Sequence, residues 1–197
     1  MTNLFAAAKE VFDWLEGHHV PACLIGALAV QRWGAPRLTD DVDLTVIAEI
    51  GEEERIVDIC LEKFRPRRND ARKFALQYRV VVLYASNGVP VDVALGATFF
   101  EAECVKRATP YEFEPGFVLP TCSAEDLLIH KAFAGRPRDM DDLPRIVNRQ
   151  LGKLDLARIR RWLKVLAEVK EDPDLARPFE DALKAAEAIA TKRKKPR

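Results

Sequence analysis

Three aspartates in the N-terminal half of the sequence have the spacing of a metal site. Asp41 and Asp43 are two residues apart in the run Asp41–Ile47, which alternates acidic and aliphatic residues as a strand does, so both side chains project from one face. Asp92 lies between two valines in another β-branched-rich run and faces away from both of them. Because carboxylate oxygens are the ligands that hard cations prefer, the three residues predict a two-metal site for Mg²⁺ or Mn²⁺.

Such a site would serve phosphoryl-group chemistry. Two metal ions align an attacking hydroxyl with a phosphorus atom and neutralise the charge on the leaving pyrophosphate. Gly26 lies between a predicted strand and a predicted helix, where a bare backbone and a helix N-terminus favour binding of a triphosphate. Alone, a glycine after a strand is usually a turn and an Asp-x-Asp pair is usually a cap, so the hypothesis depends on their combination.

The order of these residues resembles the polymerase-beta-like nucleotidyltransferase superfamily, and most closely its AbiEii-type toxin branch. Gly26-Ala27 is followed after 13 residues by Asp41-Val42-Asp43 and later by Asp92. Further similar segments are Ile25–Val30, Arg37–Asp43, Glu125–Lys131, Ala134–Asp139 and the single residue Asp142. The sequence departs from the family pattern at Ala27, where the family usually has Gly or Ser, so a hydroxyl contact to phosphate is lost while the backbone contact survives.

The resemblance implies a role for each matching residue. Asp41 and Asp43 would hold metal, Asp92 would be the third metal ligand and help activate the acceptor hydroxyl, and Lys131 and Asp139 would complete the catalytic site. Nucleotide contacts would come from Gly26, Ala27, Arg37, Thr39 and Lys131. The implied enzyme transfers a nucleoside monophosphate from a nucleoside triphosphate, releases pyrophosphate and is the toxin of a toxin–antitoxin pair, with RNA as acceptor and an antitoxin protein as partner.

The pattern around Lys131 and Asp139 gives partly independent support. Lys131 follows Leu127 by four residues and Asp139 precedes Leu143 by four, so both lie on core-facing helix stripes. An unpaired buried ammonium is costly, so Lys131 needs an anionic partner or ligand, and Asp139 is a candidate partner. The alternative is a structural ion pair between them with no catalytic part.

A mixed α/β fold has to position these residues. The sequence predicts an N-terminal helix ending at Gly17, then strand, helix, strand and helix over residues 20–64, and an antiparallel hairpin around Asn87-Gly88. One or two strands follow within residues 106–119, and everything after Ser123 is helical. We expect a minimal nucleotidyltransferase core over residues 1–120 with a mixed sheet flanked by helices, a helical region over 121–191, and a disordered basic tail over 192–197.

Charge and composition exclude several other classes of protein. The 197 residues contain 31 basic and 31 acidic residues, but five basic ones lie in the tail, which leaves 26 against 31 and a net charge of −5 for the body. Such a body is not a general DNA-coating protein. A basic cluster could contact an RNA backbone, although a solvated loop is the simpler interpretation; its members are Arg65, Arg67, Arg68, Arg72 and Lys73.

The cysteines and the N-terminus favour a cytoplasmic protein. Four cysteines lie among apolar neighbours without a Cys-x-x-Cys pair, which is typical of reduced, buried thiols. The sequence has neither a signal-peptide pattern nor an apolar run long enough to span a bilayer, so we expect no membrane association.

Two alternative functions stay open from the sequence. The first is nucleotidylation of a small molecule such as an aminoglycoside, which would need an acidic acceptor pocket that the net charge of −5 allows. The second is a non-catalytic, antitoxin-like binding module with the same fold. Ala27 mildly favours that module, whereas the three aspartates argue against it because carboxylates that face one another repel.

Overall fold

The structure is a computed structural model that describes residues 2–194, with side chains described for residues 3–192. Within these residues the strands are β1 Ala22–Leu24, β2 Val42–Ile47, β3 Arg65–Pro66, β4 Val80–Tyr84, β5 Pro90–Gly96, β6 Thr109–Glu114 and β7 Phe117–Thr121. The helices are α1 Thr2–Gly17, α2 Gly26–Trp33, α3 Glu53–Lys63, α4 Ala71–Tyr78, α5 Phe99–Arg107, α6 Ala124–Ala134, α7 Pro137–Gln150, α8 Leu156–Lys170 and α9 Arg177–Lys194.

All seven strands form one mixed sheet in the order β3-β4-β5-β2-β1-β7-β6. The pairs β3–β4, β4–β5, β1–β2 and β6–β7 are antiparallel, whereas β2–β5 and β1–β7 are parallel. The predicted hairpin is confirmed as β4 and β5, and its turn includes Gly88 at φ +82°. The predicted mixed α/β class with helices after the last strand is therefore confirmed.

The chain divides into two units, and the boundary is not a single point. The first unit comprises the described residues up to Ala29 together with Leu38–Ser123, and contains the whole sheet. The second comprises Val30–Arg37 and the described residues from Ala124 onward. Helix α2 therefore begins in the first unit and ends in the second.

The main core of the first unit lies on one face of the sheet. Every second residue of β2 and β5 points into it: Val42, Leu44 and Val46, and Val91, Val93 and Leu95. The apolar stripes of α1 and α3 cover this face. The intervening residues of both strands, including Asp43 and Asp92, therefore project from the opposite face.

The opposite face is covered in part by α5. Cys23 of β1 faces Cys104 of α5 with 3.8 Å between their Sγ atoms, and both thiols are completely buried. All four cysteines of the described structure are buried and lie outside any disulfide bond, as the sequence predicts. Burial raises the pKa of the Cys60 thiol to about 12.

The second unit is helical. Helix α6 packs against α7, α8 and α9, and α7 also packs against α9. Its core is formed by fully buried aliphatic and aromatic side chains such as Leu127, Ile146, Leu163 and Phe179. The described residues, 2–194, contain no helix with both the length and the hydrophobicity of a membrane-spanning segment.

Three elements differ from the prediction. Helix α4 occupies part of the basic cluster for which the sequence favours a solvated loop, and neither β3 nor α5 corresponds to a predicted element. At the C-terminus, α9 continues to Lys194, so the first three residues of the predicted tail are helical. Residues 195–197 of that tail lie outside the described part of the chain.

Candidate active site

Asp43 and Asp92 lie side by side on the sheet. They are direct register partners in the parallel pair β2–β5, so their Cα atoms are separated by about 4.8 Å, the ordinary spacing of neighbouring strands. Neither side chain is fully buried, and that of Asp92 is 32% exposed. Two carboxylates this close repel each other, which favours a cation between or beside them.

The start of α2 lies against the Asp43 carboxylate. Gly26 has φ +64°, and the backbone N–H of the preceding Ile25 donates to the Asp43 carbonyl oxygen at 3.0 Å. A Cβ atom built on Gly26 would lie 1.9 Å from Oδ2 of Asp43. Only glycine therefore lets the N-terminus of α2 approach this carboxylate so closely.

We expect Gly26→Ala to lose more stability than Gly51→Ala, because only the first methyl group collides with another side chain. Gly51 has φ +97° and no atom within 4 Å of a built Cβ, so its change measures backbone strain alone, at about 1 kcal/mol. Urea unfolding of both variants measures the difference. Equal losses would show that Asp43 moves aside without cost.

Asp41 precedes β2 by one residue, and its position is fixed by Thr39. The Thr39 hydroxyl donates to Oδ1 of Asp41 at 2.5 Å. Within residues 2–194 no three carboxylate, imidazole or thiol side chains converge closely enough to hold a metal ion. The donor chemistry nevertheless fits a hard cation, because Asp43 and Asp92 offer adjacent, partly exposed carboxylates.

The carboxylate of Asp92 has a cationic partner that the sequence does not predict. A terminal guanidinium nitrogen of Arg67, Nη2, donates a short hydrogen bond to Oδ1 of Asp92. Arg67 follows the two-residue strand β3, and its backbone N–H donates to the Val82 carbonyl at 3.0 Å. The contact joins residues 25 positions apart and depends on a strand too short to be recognised from periodicity.

Other members of the basic cluster also have acidic partners. Arg68 Nε donates to Oδ1 of Asp70 at 2.8 Å, and this pair lowers the pKa of Asp70. Arg72 contacts Glu54 at 2.9 Å and Asp58 at 3.4 Å. Three of the five cluster residues, counting Arg67, are thus paired with carboxylates in the described structure.

Lys131 and Asp139 meet in the second unit, as their spacing predicts. Lys131 Nζ donates to Oδ1 of Asp139 at 2.8 Å and also lies 2.8 Å from Oδ2 of Asp142. Arg37 Nε and Nη2 hold the same Asp142 at 3.0–3.2 Å. Asp142, which the family resemblance includes but the predicted site omits, is thus the residue that links the other charges.

This charge cluster, defined by Arg37, Lys131, Asp139 and Asp142, is buried and balanced. The Lys131, Asp139 and Asp142 side chains are 4%, 12% and 0% exposed. Burial alone would raise the pKa of Asp142, but hydrogen bonds from Arg37 and Lys131 outweigh burial and hold that pKa below its ordinary value. Among the described residues, no group hydrogen-bonds to Oδ2 of Asp139, which is buried.

The predicted site residues therefore form two groups. Gly26, Thr39, Asp41, Asp43 and Asp92 lie in the first unit, where hydrogen bonds, strand register or a close approach connect them in pairs. Arg37, Lys131 and Asp139 lie in the second unit and are connected through Asp142. Ala27, at the start of α2, is almost completely buried.

The model of the family described as "Nucleotidyl transferase AbiEii toxin, Type IV TA system" matches residues 14–195. No curated protein matches the sequence.

The chain is also similar to solved structures. The antibiotic-resistance factor ANT(2'')-Ia is 15% identical with a TM-score of 0.45, over 97% of this chain and 95% of its own. An antigenic nucleotidyltransferase-like protein from Paracoccidioides brasiliensis is 16% identical with a TM-score of 0.49, over 91% of each chain.

Proposed function

The chain belongs to the AbiEii nucleotidyltransferase toxin family, and from this membership we propose that it transfers a nucleoside monophosphate from a nucleoside triphosphate to an acceptor hydroxyl with Mg²⁺ or Mn²⁺ as cofactor. That the protein is a nucleotidyltransferase follows from the family. The cofactor, the acceptor and the residues that act are the proposal.

The observation that carries the proposal is the alignment of Asp43 with Asp92. Adjacent parallel strands hold the two carboxylates in register, and the start of α2 abuts one of them through Gly26. Acidic side chains and the N-terminus of a helix are thereby brought to one place. The acidic side chains suit cations, and the N-terminus of the helix suits the phosphates that accompany those cations.

Asp41, Asp43 and Asp92 would hold the metal, which when bound neutralises phosphate charge and favours ionisation of the acceptor hydroxyl. Thr39 keeps the Asp41 carboxylate oriented through its hydroxyl. The backbone at Gly26 and Ala27 would face the triphosphate, with the positive end of the α2 dipole directed at it. Asp92 would accept the proton or direct the acceptor hydroxyl.

The charge cluster of the second unit would contribute to nucleotide binding. Lys131 and Arg37 supply two cations, and in the described structure each contacts a carboxylate. The buried Oδ2 of Asp139, which accepts no hydrogen bond from the described protein residues, could receive one from a nucleotide hydroxyl or amino group. Arg136 Nε lies 3.8 Å from this oxygen, too far for a hydrogen bond, so the unmet acceptor supports a ligand-binding role for the cluster beyond a structural ion pair.

We extend the proposal to the biological role. The family is named for toxins of type IV toxin–antitoxin systems, so we propose that the enzyme is such a toxin, acts in the cytoplasm on RNA and is controlled by an antitoxin protein. The acceptor is the least constrained part. Carboxylate partners for Arg67, Arg68 and Arg72 reduce the free positive charge for an RNA backbone, and this favours a small-molecule acceptor as the second candidate.

Incubation of the full chain with each labelled nucleoside triphosphate, Mg²⁺ and total RNA tests the proposal. We expect label to enter RNA from one preferred triphosphate, with release of pyrophosphate. The signal should disappear with EDTA and in Asp43→Asn. A parallel reaction with hydroxyl-bearing small molecules, including aminoglycosides, identifies the second candidate.

Labelling of small molecules alone would overturn the RNA acceptor but leave the nucleotidyltransferase chemistry in place. Pyrophosphate release with no labelled acceptor in either reaction would contradict both acceptor classes. Absence of pyrophosphate release under all conditions would favour the non-catalytic module. Because Arg67 contacts Asp92, a change at Arg67 does not isolate RNA binding, so removal of residues 195–197 is the cleaner test of a basic contact to RNA.

A further inference from the structure

Arg67 and the two neighbouring carboxylates form one row across the sheet. The backbone N–H of Arg67 donates to Val82, Val82 is the register partner of Asp92, and Asp92 is the register partner of Asp43. Residues opposite one another in a sheet project from the same face. The long Arg67 side chain therefore extends past Val82 of β4 and forms an ion pair with Asp92.

Another cation can replace Arg67 at the Asp92 carboxylate. The Arg67 and Asp92 side chains are 25% and 32% exposed, and partly exposed ion pairs contribute little to stability. Moreover, the buried Nε of Arg67 has no hydrogen-bond partner in the described structure, so part of the hydrogen-bonding capacity of the guanidinium is unmet. The cation on the Asp92 carboxylate is thus a monovalent guanidinium at the end of a flexible side chain.

We propose that Arg67 is the internal counter-cation of Asp92 and competes with the divalent metal for this carboxylate, so that it sets the metal concentration at which the enzyme becomes loaded. The inference rests on the proposed metal site. A guanidinium and a divalent cation repel each other, so both cannot occupy the same carboxylate oxygen. Arg67 acts through Asp92 and is a positioning residue, not a catalytic one.

Calorimetric titration of Mn²⁺ into the nucleotide-free full chain tests this. We expect Arg67→Met to bind Mn²⁺ about tenfold more tightly than the unchanged protein, the scale of one charge-assisted hydrogen bond removed from the competitor. Arg67→Lys keeps the charge and should stay within about threefold of the unchanged protein, since only the geometry of the contact is lost. If Arg67→Met does not fold, Arg67→Gln provides the same comparison.

Arg68→Met is the matched control. It removes one positive charge from the adjacent residue, whose partner is the exposed Asp70, and therefore reports the effect of net charge alone. Equal tightening in the Arg67 and Arg68 variants would overturn the proposal, as would unchanged or weaker Mn²⁺ binding in Arg67→Met. A purely structural Arg67 would lower the melting temperature without changing Mn²⁺ affinity.

The titration also separates this inference from the proposed function. If the unchanged protein binds no Mn²⁺, the proposed metal site itself is wrong. If the unchanged protein binds Mn²⁺ and Asp43→Asn does not, while Arg67→Met binds as the unchanged protein does, the metal site stands and only the role of Arg67 is overturned.

Discussion

Asp43→Asn is expected to reduce nucleotide transfer by about a thousandfold, the upper range for loss of one preorganised electrostatic group, while the protein stays folded. Asn has nearly the same shape as Asp, so the close approach of Gly26 is preserved. Removing one of two adjacent negative charges also relieves their repulsion, so stability without metal should equal or exceed that of the unchanged protein. Initial rates of pyrophosphate release and urea unfolding measure the two effects.

Asp58→Asn is the control for this prediction. Asp58 is an exposed residue of α3 that lies 3.4 Å from Arg72, so its loss removes the same charge outside the candidate site. We expect its transfer rate to stay within about twofold. Comparable rates in Asp43→Asn and Asp58→Asn would remove Asp43 from the active site.

Lys131→Met should be strongly destabilising, whereas Lys131→Met combined with Asp139→Leu should not. The single change removes the ammonium that contacts both Asp139 and Asp142, so Asp142 keeps Arg37 and Asp139 keeps the exposed Arg136, whose Nε lies 3.8 Å away. A buried charge that loses its close partner costs about 3 kcal/mol or more. The double change leaves the Arg37–Asp142 pair, which is balanced by itself. Urea unfolding of both variants tests this difference.

The transfer rate of the double variant decides whether the cluster is catalytic. If Lys131 has the proposed role in nucleotide binding, we expect the rate to fall about a hundredfold, because a positive charge that would stabilise the phosphates is lost while the fold persists. The control is Arg158→Met with Asp126→Leu, which replaces another buried ion pair of the same unit, 7% and 0% exposed. A folded Lys131→Met/Asp139→Leu variant with a normal rate would show that this pair is structural only.

Much of the fold could be predicted because local signals and the final structure agree. The β4–β5 hairpin follows from Asn87-Gly88 between two β-branched runs, and the helices after Ser123 follow from apolar spacing. Helix α5 could also have been found. Thr98 and Glu101 form a capping box, a pattern visible in the sequence as Thr-x-x-Glu before Phe99–Arg107.

Helix α4 has weaker signals. It lies in a stretch dominated by basic residues, and only Ala71 and Ala75 are buried. Asp70 precedes it without a side-chain cap, and it ends at Arg79 in the left-handed region at φ +53°, where glycine is usual. Its helical state therefore depends on packing against α3 and β4, which no local pattern reveals.

The candidate site, like the fold, could be predicted only in part. The spacing of Asp41, Asp43 and Asp92 could be recognised because strand alternation fixes which side chains share a face. The ion-pair partners of the site residues could not be predicted, since they depend on the order of the strands and on the length of the side chains. Arg67 meets Asp92 across β4, and Arg37 meets Asp142 across more than a hundred residues of chain.

The shared helix α2 determines how the protein can be divided. The chain passes between the two units at residues 29/30, 37/38 and 123/124, so the helical unit is not a continuous stretch of sequence. A fragment that begins at Ala124 would lack the Trp33 and Gly34 carbonyls, which accept hydrogen bonds from Gln150 and Arg149, and the guanidinium that neutralises Asp142. Exchanging one unit between relatives therefore needs more than one junction in the sequence. A truncated or permuted variant of the helical unit has to include residues 30–37.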